Sequence, residues 1–249
     1  MTPLRAGRGR PVVLVHGYLG GSAQWPDLVA ALAPDHEVIA PDLPGFGAAA
    51  HLPGPDTIAG FAKAVIDCVD RIGTGRFALL GHSMGGMIAQ QIAARHPDRI
   101  ERLILYGTGP LGRMPDRFEP LETSMERLAA DGVPATADRI CATWFRDGTA
   151  APGYAPTRDI GRRANPQAAR AALAAMRDWD GRPALAGFAL PCRIIWGDRD
   201  RSYRWPQVQH LWQGIAGAEL AVIPAASHAA HLERPAIFNA LVRDFLDAG

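Results

Sequence analysis

The chain has 249 residues, 48% of them apolar and 20% charged, with a formal net charge of +1. That length suits a single α/β domain able to bury its core without disulfides or metals. The near-neutral balance, with no run of like charges, excludes a nucleic-acid footprint and a polybasic membrane patch.

The basic residues are 25 arginines and a single lysine, Lys63, which reads as a compositional bias rather than a binding device. Cys68, Cys141 and Cys192 are odd in number and far apart. They fit neither a disulfide framework nor the paired spacing of a zinc site, and they point to a reducing compartment. The first residues include arginines but no apolar run of the signal-peptide type, and no stretch approaches 18 uninterrupted apolar residues. A soluble, cytoplasmic protein without a membrane partner is expected.

Short apolar runs alternate with longer helical patterns along most of the chain. Pro11–Gly17 (PVVLVHG) reads as a buried strand stopped by glycine, and Gln24–Ala33 as a short amphipathic helix. Glu37–Leu43 is a second strand, broken by Pro44 and Gly45. Thr57–Gly73 carries apolar residues at helical spacing, capped by Asp56 or Thr57. Arg76–Gly81 is a third strand, Ser83–His96 a helix ending before Pro97, and Ile100–Tyr106 a fourth strand. After a long gap come strands at Cys192–Trp196 and Ala218–Ile223. A last helix at Pro235–Asp247 has proline in its first turn. Strands that are apolar on both faces and alternate with helices belong in a parallel sheet covered on both sides.

The alternation fails between Gly109 and Pro183. That stretch is helical and polar-spotted, with breaks at Asp131-Gly132, Asp147-Gly148 and Pro152-Gly153, and it lacks strand runs. An insertion of this length reads as a helical lid rather than one long loop. The expected organisation is a core of residues 1–108 and 184–249 with a helical cap at 109–183.

Gly81-His82-Ser83-Met84-Gly85 matches G-x-S-x-G directly after a strand and directly before a helix. So tight a turn strains the serine backbone and demands small flanking residues, leaving the hydroxyl exposed at the carboxyl end of the sheet. The helix N-terminus beside it favours a developing oxyanion. His16-Gly17 closes the first strand, and a glycine-rich bend, Tyr18-Leu19-Gly20-Gly21-Ser22, follows. The N–H groups of Tyr18 and Met84 are candidate oxyanion donors. His16 is expected to hold that bend by hydrogen bonds rather than to act as a base.

The chain resembles the α/β-hydrolase superfamily through HGYLGG (16–21), PDLPGFG (41–47), GHSMGG (81–86), WGDRD (196–200) and SHAAHLERP (227–235), five elements in the family's order that leave only the lid unmatched. The pattern is similar to bacterial esterases, enol-lactonases and C–C bond hydrolases, and to thioesterase-like members. The resemblance implies the α/β-hydrolase fold, a mostly parallel sheet with helices on both faces and a helical lid inserted before the acid-bearing strand. It implies an oxyanion hole from the residue after His-Gly and the residue after the nucleophile, here Tyr18 and Met84. Two departures stand out: Ala48-Ala49-Ala50 follows the GFG turn where a serine is common, and the usual N-terminal hairpin is cut short. C–C hydrolases carry a tryptophan after the catalytic histidine, where this chain has Ala229. Ser83 argues against dehalogenases and epoxide hydrolases, whose nucleophile is aspartate.

A serine nucleophile needs a base and a group to orient it, and in this fold the chain order is nucleophile, acid, histidine. Three histidines follow the lid. His210 is expected on a helix surface. His228 falls where the family places its base, and His231 is expected to line or support the pocket. Asp198 and Asp200 both follow the strand CRIIW. The family pattern, with the acid three residues after the glycine, points to Asp200, and Asp198 is expected to cap the turn. Asp42 and Glu233 read as structural. Trp144 and Phe145 are the lid residues expected to face substrate. No metal or cofactor site is expected: His228-x-x-His231 lacks partners at ligand spacing, and the elbow lacks the Lys-Ser/Thr of a P-loop. The expected partner is a small-molecule acyl substrate, its scissile bond an ester or lactone, or alternatively a C–C bond or thioester. Oligomeric state is not legible.

Overall fold

A computed structural model describes residues 1–114 and 117–248. Its strands are β1 (Leu4–Ala6), β2 (Arg10–Val15), β3 (His36–Ala40), β4 (Phe77–His82), β5 (Ile100–Tyr106), β6 (Cys192–Gly197) and β7 (Glu219–Ile223). They form one sheet in the order β1-β3-β2-β4-β5-β6-β7. All neighbours are parallel except β1, which pairs antiparallel with β3. The sequence reading missed β1. With three residues and an exposed edge position it carries no apolar run, and only its backbone pairing makes it a strand.

Helices cover both faces. Val13 and Val15 point to one face, with α2 (Ile58–Arg71) and α3 (Met84–Arg95), while Val12 and Leu14 point to the other, with α1 (Pro26–Leu32) and a C-terminal helix at Pro235–Asp247. All four valine and leucine side chains are buried, which is why the strand reads as a continuous apolar run rather than an alternating one. Thr57 caps α2, its Oγ1 accepting from the Gly60 N–H at 3.1 Å.

Between β5 and β6 the described chain forms α4 (Leu121–Thr143), α5 (Tyr154–Gly161) and α6 (Pro166–Arg177). α4 is broken at Gly132 (φ 75°), and Pro134 opens its second half where a missing N–H costs nothing. The insertion has a narrow neck. Leu111 and Asp180 form an antiparallel bridge, with Gly112 N–H donating to the Trp179 carbonyl and Gly181 N–H to the Pro110 carbonyl. It is also bonded to the core at its far side: the Asn165 N–H donates to the Gly45 carbonyl (2.9 Å), and the Ala229 N–H to the Trp144 carbonyl (2.9 Å). The chain then continues through α7 (Trp205–Gly214), the one-turn α8 (Ala230–Glu233) and α9 (Pro235–Asp247). Among the described residues, no helix is long and apolar enough to cross a membrane. Cys68, Cys141 and Cys192 are buried free thiols, and burial pushes the Cys192 thiol up to about 12.

Candidate active site

Ser83 sits between β4 and α3 at φ 57°, ψ −120°, a strained conformation for a residue with a side chain, at a cost of about 1–3 kcal/mol. The surroundings over-determine it. The Ser83 N–H donates to the Tyr106 carbonyl (3.0 Å), and the Thr108 hydroxyl donates to the Ser83 carbonyl (2.8 Å). Close packing explains the glycines: a Cβ on Gly85 would lie 2.2 Å from the Val15 carbonyl oxygen, and one on Gly17 would lie 2.8 Å from the Ser83 Cβ. Gly17 thus lets the bend after β2 lie directly against the strand-to-helix turn at Ser83.

That bend is held from two sides. The Leu43 N–H donates to His16 Nε2 (2.9 Å), which makes Nδ1 the protonated nitrogen and its 2.8 Å contact a donation to the Gly17 carbonyl. Burial lowers the His16 pKa, consistent with a neutral ring. Asp42 accepts from the Ser22 N–H (2.7 Å) and hydroxyl (3.1 Å). Among the described residues, the N–H groups of Tyr18 and Met84 have no partner within the chain, so both are available to an oxyanion.

The candidate acid, Asp200, and the candidate base, His228, come from the loops after β6 and β7, so both meet Ser83 at the carboxyl edge of the sheet. His228 Nδ1 lies 2.8 Å from Asp200 Oδ2, both side chains being buried. Asp200 Oδ1 accepts from the N–H groups of Ser202 (2.7 Å) and Tyr203 (3.1 Å), which fixes the carboxylate. With Nδ1–H donating to Asp200, Nε2 is the nitrogen left for the cavity that Ser83 also lines. Behind the imidazole, the Tyr106 hydroxyl donates to the His228 carbonyl at 2.8 Å. His82 Nε2 lies 3.1 Å from the same oxygen and, as its donor, carries a proton.

The cavity is small, about 390 Å³ of space between atoms with its opening to solvent included. Its apolar wall includes Met87 from α3 and Leu121, Ile140 and Met176 from the insertion. Trp144 closes it beside His228, with 5.8 Å between the ring centroids. Among the described residues, no group of three or more His, Cys, Asp or Glu side chains is arranged to hold a metal ion.

Three expectations are corrected. Phe145 does not line this cavity; it is 1% exposed and packs away from Ser83, against Gly153. Adjacent helix-end residues point in different directions, so only one of the aromatic pair can face the cavity. His231 does not line it either. It lies behind, with Nδ1 3.0 Å from the Tyr106 hydroxyl and its ring 4.7 Å from that of Trp25. Asp198 makes no cap: its Oδ1 is buried without a partner, and Asp200 bonds the turn's N–H groups instead. Glu233 is structural, bridging the Ser227 N–H (2.5 Å) and the Arg146 N–H (2.7 Å), and His210 is exposed.

The sequence reading missed Tyr203 and Arg117. Tyr203 stacks on His228 (centroids 5.6 Å, planes 17° apart), and its hydroxyl is within reach of Ser83 and Thr108. Burial pushes this phenol up to about 12, against the opposing pull of the Ser83 contact. Nothing in the polar loop Arg201-Ser202-Tyr203-Arg204 signals this position, because the turn around Asp200 sets it.

The α/β-hydrolase fold family matches residues 10–235. A pimeloyl-[acyl-carrier protein] methyl ester esterase of Neisseria meningitidis serogroup B is 30% identical, over 96% of this chain and 94% of its own. A 2-hydroxy-6-oxo-6-phenylhexa-2,4-dienoate hydrolase of Burkholderia cepacia is 27% identical, over 98% and 90%. Among solved structures, the enol-lactonase of Burkholderia xenovorans LB400 superposes with a TM-score of 0.91 at 29% identity, covering 99% of this chain and 96% of its own. Since the match spans the sheet, the elbow and the loops that carry Asp200 and His228, the chain belongs to the α/β-hydrolase family and is a hydrolase.

Proposed function

We propose that the chain hydrolyses a carboxylic ester or lactone of a small to medium substrate through an acyl-enzyme at Ser83. The observation that carries this reading is the strained Ser83 sharing one small cavity with His228, whose Nδ1 is held 2.8 Å from a buried Asp200. Ser83 Oγ attacks the substrate carbonyl while His228 Nε2 takes its proton, and Asp200 holds the tautomer and stabilises the imidazolium. The N–H groups of Tyr18 and Met84 receive the oxyanion, aided by the N-terminus of α3. His228 returns the proton to the leaving alcohol, and a water activated by the same base releases the acid. Helices α4 to α6 act as a lid whose inner wall selects the substrate by size. Tyr203, stacked on the base, restricts its tilt. An aryl- or alkylphosphonate should add once, at Ser83, and Ser83→Ala should lose on the order of a thousandfold or more in turnover. Labelling elsewhere, or near-normal turnover in Ser83→Ala, overturns the mechanism.

A C–C bond hydrolase is the second reading, supported by the named activity of the Burkholderia cepacia relative. Ala229 weighs against it. This residue is buried, and the indole beside His228 belongs to Trp144 of the insertion. Parallel assays of short esters, lactones, thioesters and a vinylogous diketone decide between the readings.

A further inference from the structure

An arginine projects into the otherwise mostly apolar Ser83 cavity. Arg117 lines it; its Nη1 donates to the Glu119 carbonyl and to Ser124 Oγ (3.1 Å), and its guanidinium carbon lies 4.4 Å from the centroid of the Phe118 ring. Among the described residues, no carboxylate forms an ion pair with it. The nearby acid, Glu119, is already committed: its carboxylate accepts from Ser124 Oγ (2.5 Å), Arg127 (3.0 Å) and Arg139 (2.8 and 2.9 Å). Two arginines thus share this one carboxylate while Arg117 pairs with none, and the cavity wall keeps an excess of positive charge.

Unmatched donors gather at the same place. The Tyr18 hydroxyl is buried without a hydrogen-bond partner on a side chain only 4% exposed, and Tyr18 lines the same cavity. Arg139, which does not itself line the cavity, also has a buried and unpartnered Nε and Nη2. Burial raises the Tyr18 phenol above its usual range, and Arg117 and Arg139 both act against that shift, which sets all three groups in one electrostatic neighbourhood. Buried donors without acceptors and a half-buried cation without a counter-ion are unfavourable in an apolar wall unless a ligand completes them.

We propose that the substrate carries a carboxylate a short chain away from its scissile carbonyl, and that Arg117 binds this anion with the Tyr18 hydroxyl as a second donor. Half-esters of short dicarboxylic acids, and lactones bearing a free carboxylate, are the matching class. A guanidinium presents a planar fork to a carboxylate and gives direction as well as charge. Because Ser83 and Arg117 line the same small cavity, the spacing between anion and ester is short. The proposal rests on Ser83 as the nucleophile that defines the other end of the cavity.

The test separates the two readings. Binding is measured by calorimetry on Ser83→Ala, which cannot turn the ligand over, with methyl hydrogen glutarate and its neutral isostere dimethyl glutarate. Acetic acid esterified by a hydroxy acid gives a third arm, with the anion in the alcohol half. One of the two anionic ligands should bind at least tenfold tighter than the diester. Adding Arg117→Gln should remove that preference, and Arg117→Lys should keep more of it than Gln does. In the active chain the same preference should appear in kcat/KM and shrink at least tenfold in Arg117→Gln. Equal binding of charged and neutral ligands, or an equal loss for both in Arg117→Gln, overturns the subsite. If neutral esters are cleaved without any anion preference, the subsite fails while the hydrolase reading stands. If the anion binds in an Arg117-dependent way while no ester is cleaved and phosphonate leaves Ser83 unlabelled, the nucleophile reading fails and the subsite stands.

Discussion

The sheet core and the helices inserted between β5 and β6 obey different rules. In the core, the backbone does the positioning. Ser83, Asp200 and His228 leave the carboxyl ends of β4, β6 and β7, and parallel pairing puts those ends on one edge whatever the side chains do. In the insertion, placement depends on packing. Trp144 and Phe145 are neighbours in sequence, yet one indole faces His228 and the other ring is sealed against Gly153. On the proposed reading, chemistry resides where hydrogen-bonded strands fix the geometry, and selectivity where side-chain packing can vary without disturbing it.

The largest expected effect tests the core side of that contrast. Asp200→Asn should keep the fold and cut turnover by on the order of several hundredfold or more, because the amide cannot hold the required tautomer. Asp198→Asn should stay within a few-fold of normal turnover. Its Oδ1 has no partner to lose, and Arg199 Nε is 3.7 Å from its Oδ2. Steady-state kinetics on both variants decides the matter, and a collapse in Asp198→Asn would show that the edge geometry has been assigned to the wrong aspartate.

A second comparison splits the aromatic pair. Phe145→Ala should cost about 3–5 kcal/mol of stability by opening a cavity in the core, read by denaturant unfolding, with the order of substrate preference kept. Trp144→Ala should instead change relative rates along an acyl-chain series by about tenfold, the scale of a pocket contact. If Phe145→Ala reshapes the preference while Trp144→Ala only lowers stability, the insertion faces the cavity with the other residue.

The smallest effect concerns the buried histidines behind the base. Burial first, and then the His228 charge, lowers the His231 pKa from 6.5 to about 3, and burial drives His82 well below 6.5. Between those values the unfolded chain binds protons that the folded chain does not. Stability is therefore complete above roughly pH 6.5 and falls as pH drops, by up to about 1.4 kcal/mol per pH unit for each histidine. Melting curves from pH 8 to pH 5 should show a shallower acid limb in His231→Asn than in the parent chain. Identical limbs would mean that His231 titrates freely and that the packing around Tyr106 is looser than the ring contacts indicate.

The amino-acid sequence alone determined the alternating core, because strands buried on both faces must be written as unbroken apolar runs and their helices as 3.6-residue periodicity. It also marked the elbow, since a turn that brings a Cβ on Gly85 within 2.2 Å of the Val15 carbonyl oxygen can be built only from glycine. Tertiary structure decided the rest. β1 is a strand only because β3 offers it an edge. His228 and His231 are three residues apart and chemically alike, and only the one-turn α8 sends the first to the cavity and the second to Trp25 and Tyr106. Tyr203 and Arg117 reach the cavity from polar segments with no periodicity to read. A periodic pattern reports which face of an element is buried, whereas which side chain meets which across a cavity depends on groups distant in sequence, and no local signal encodes that.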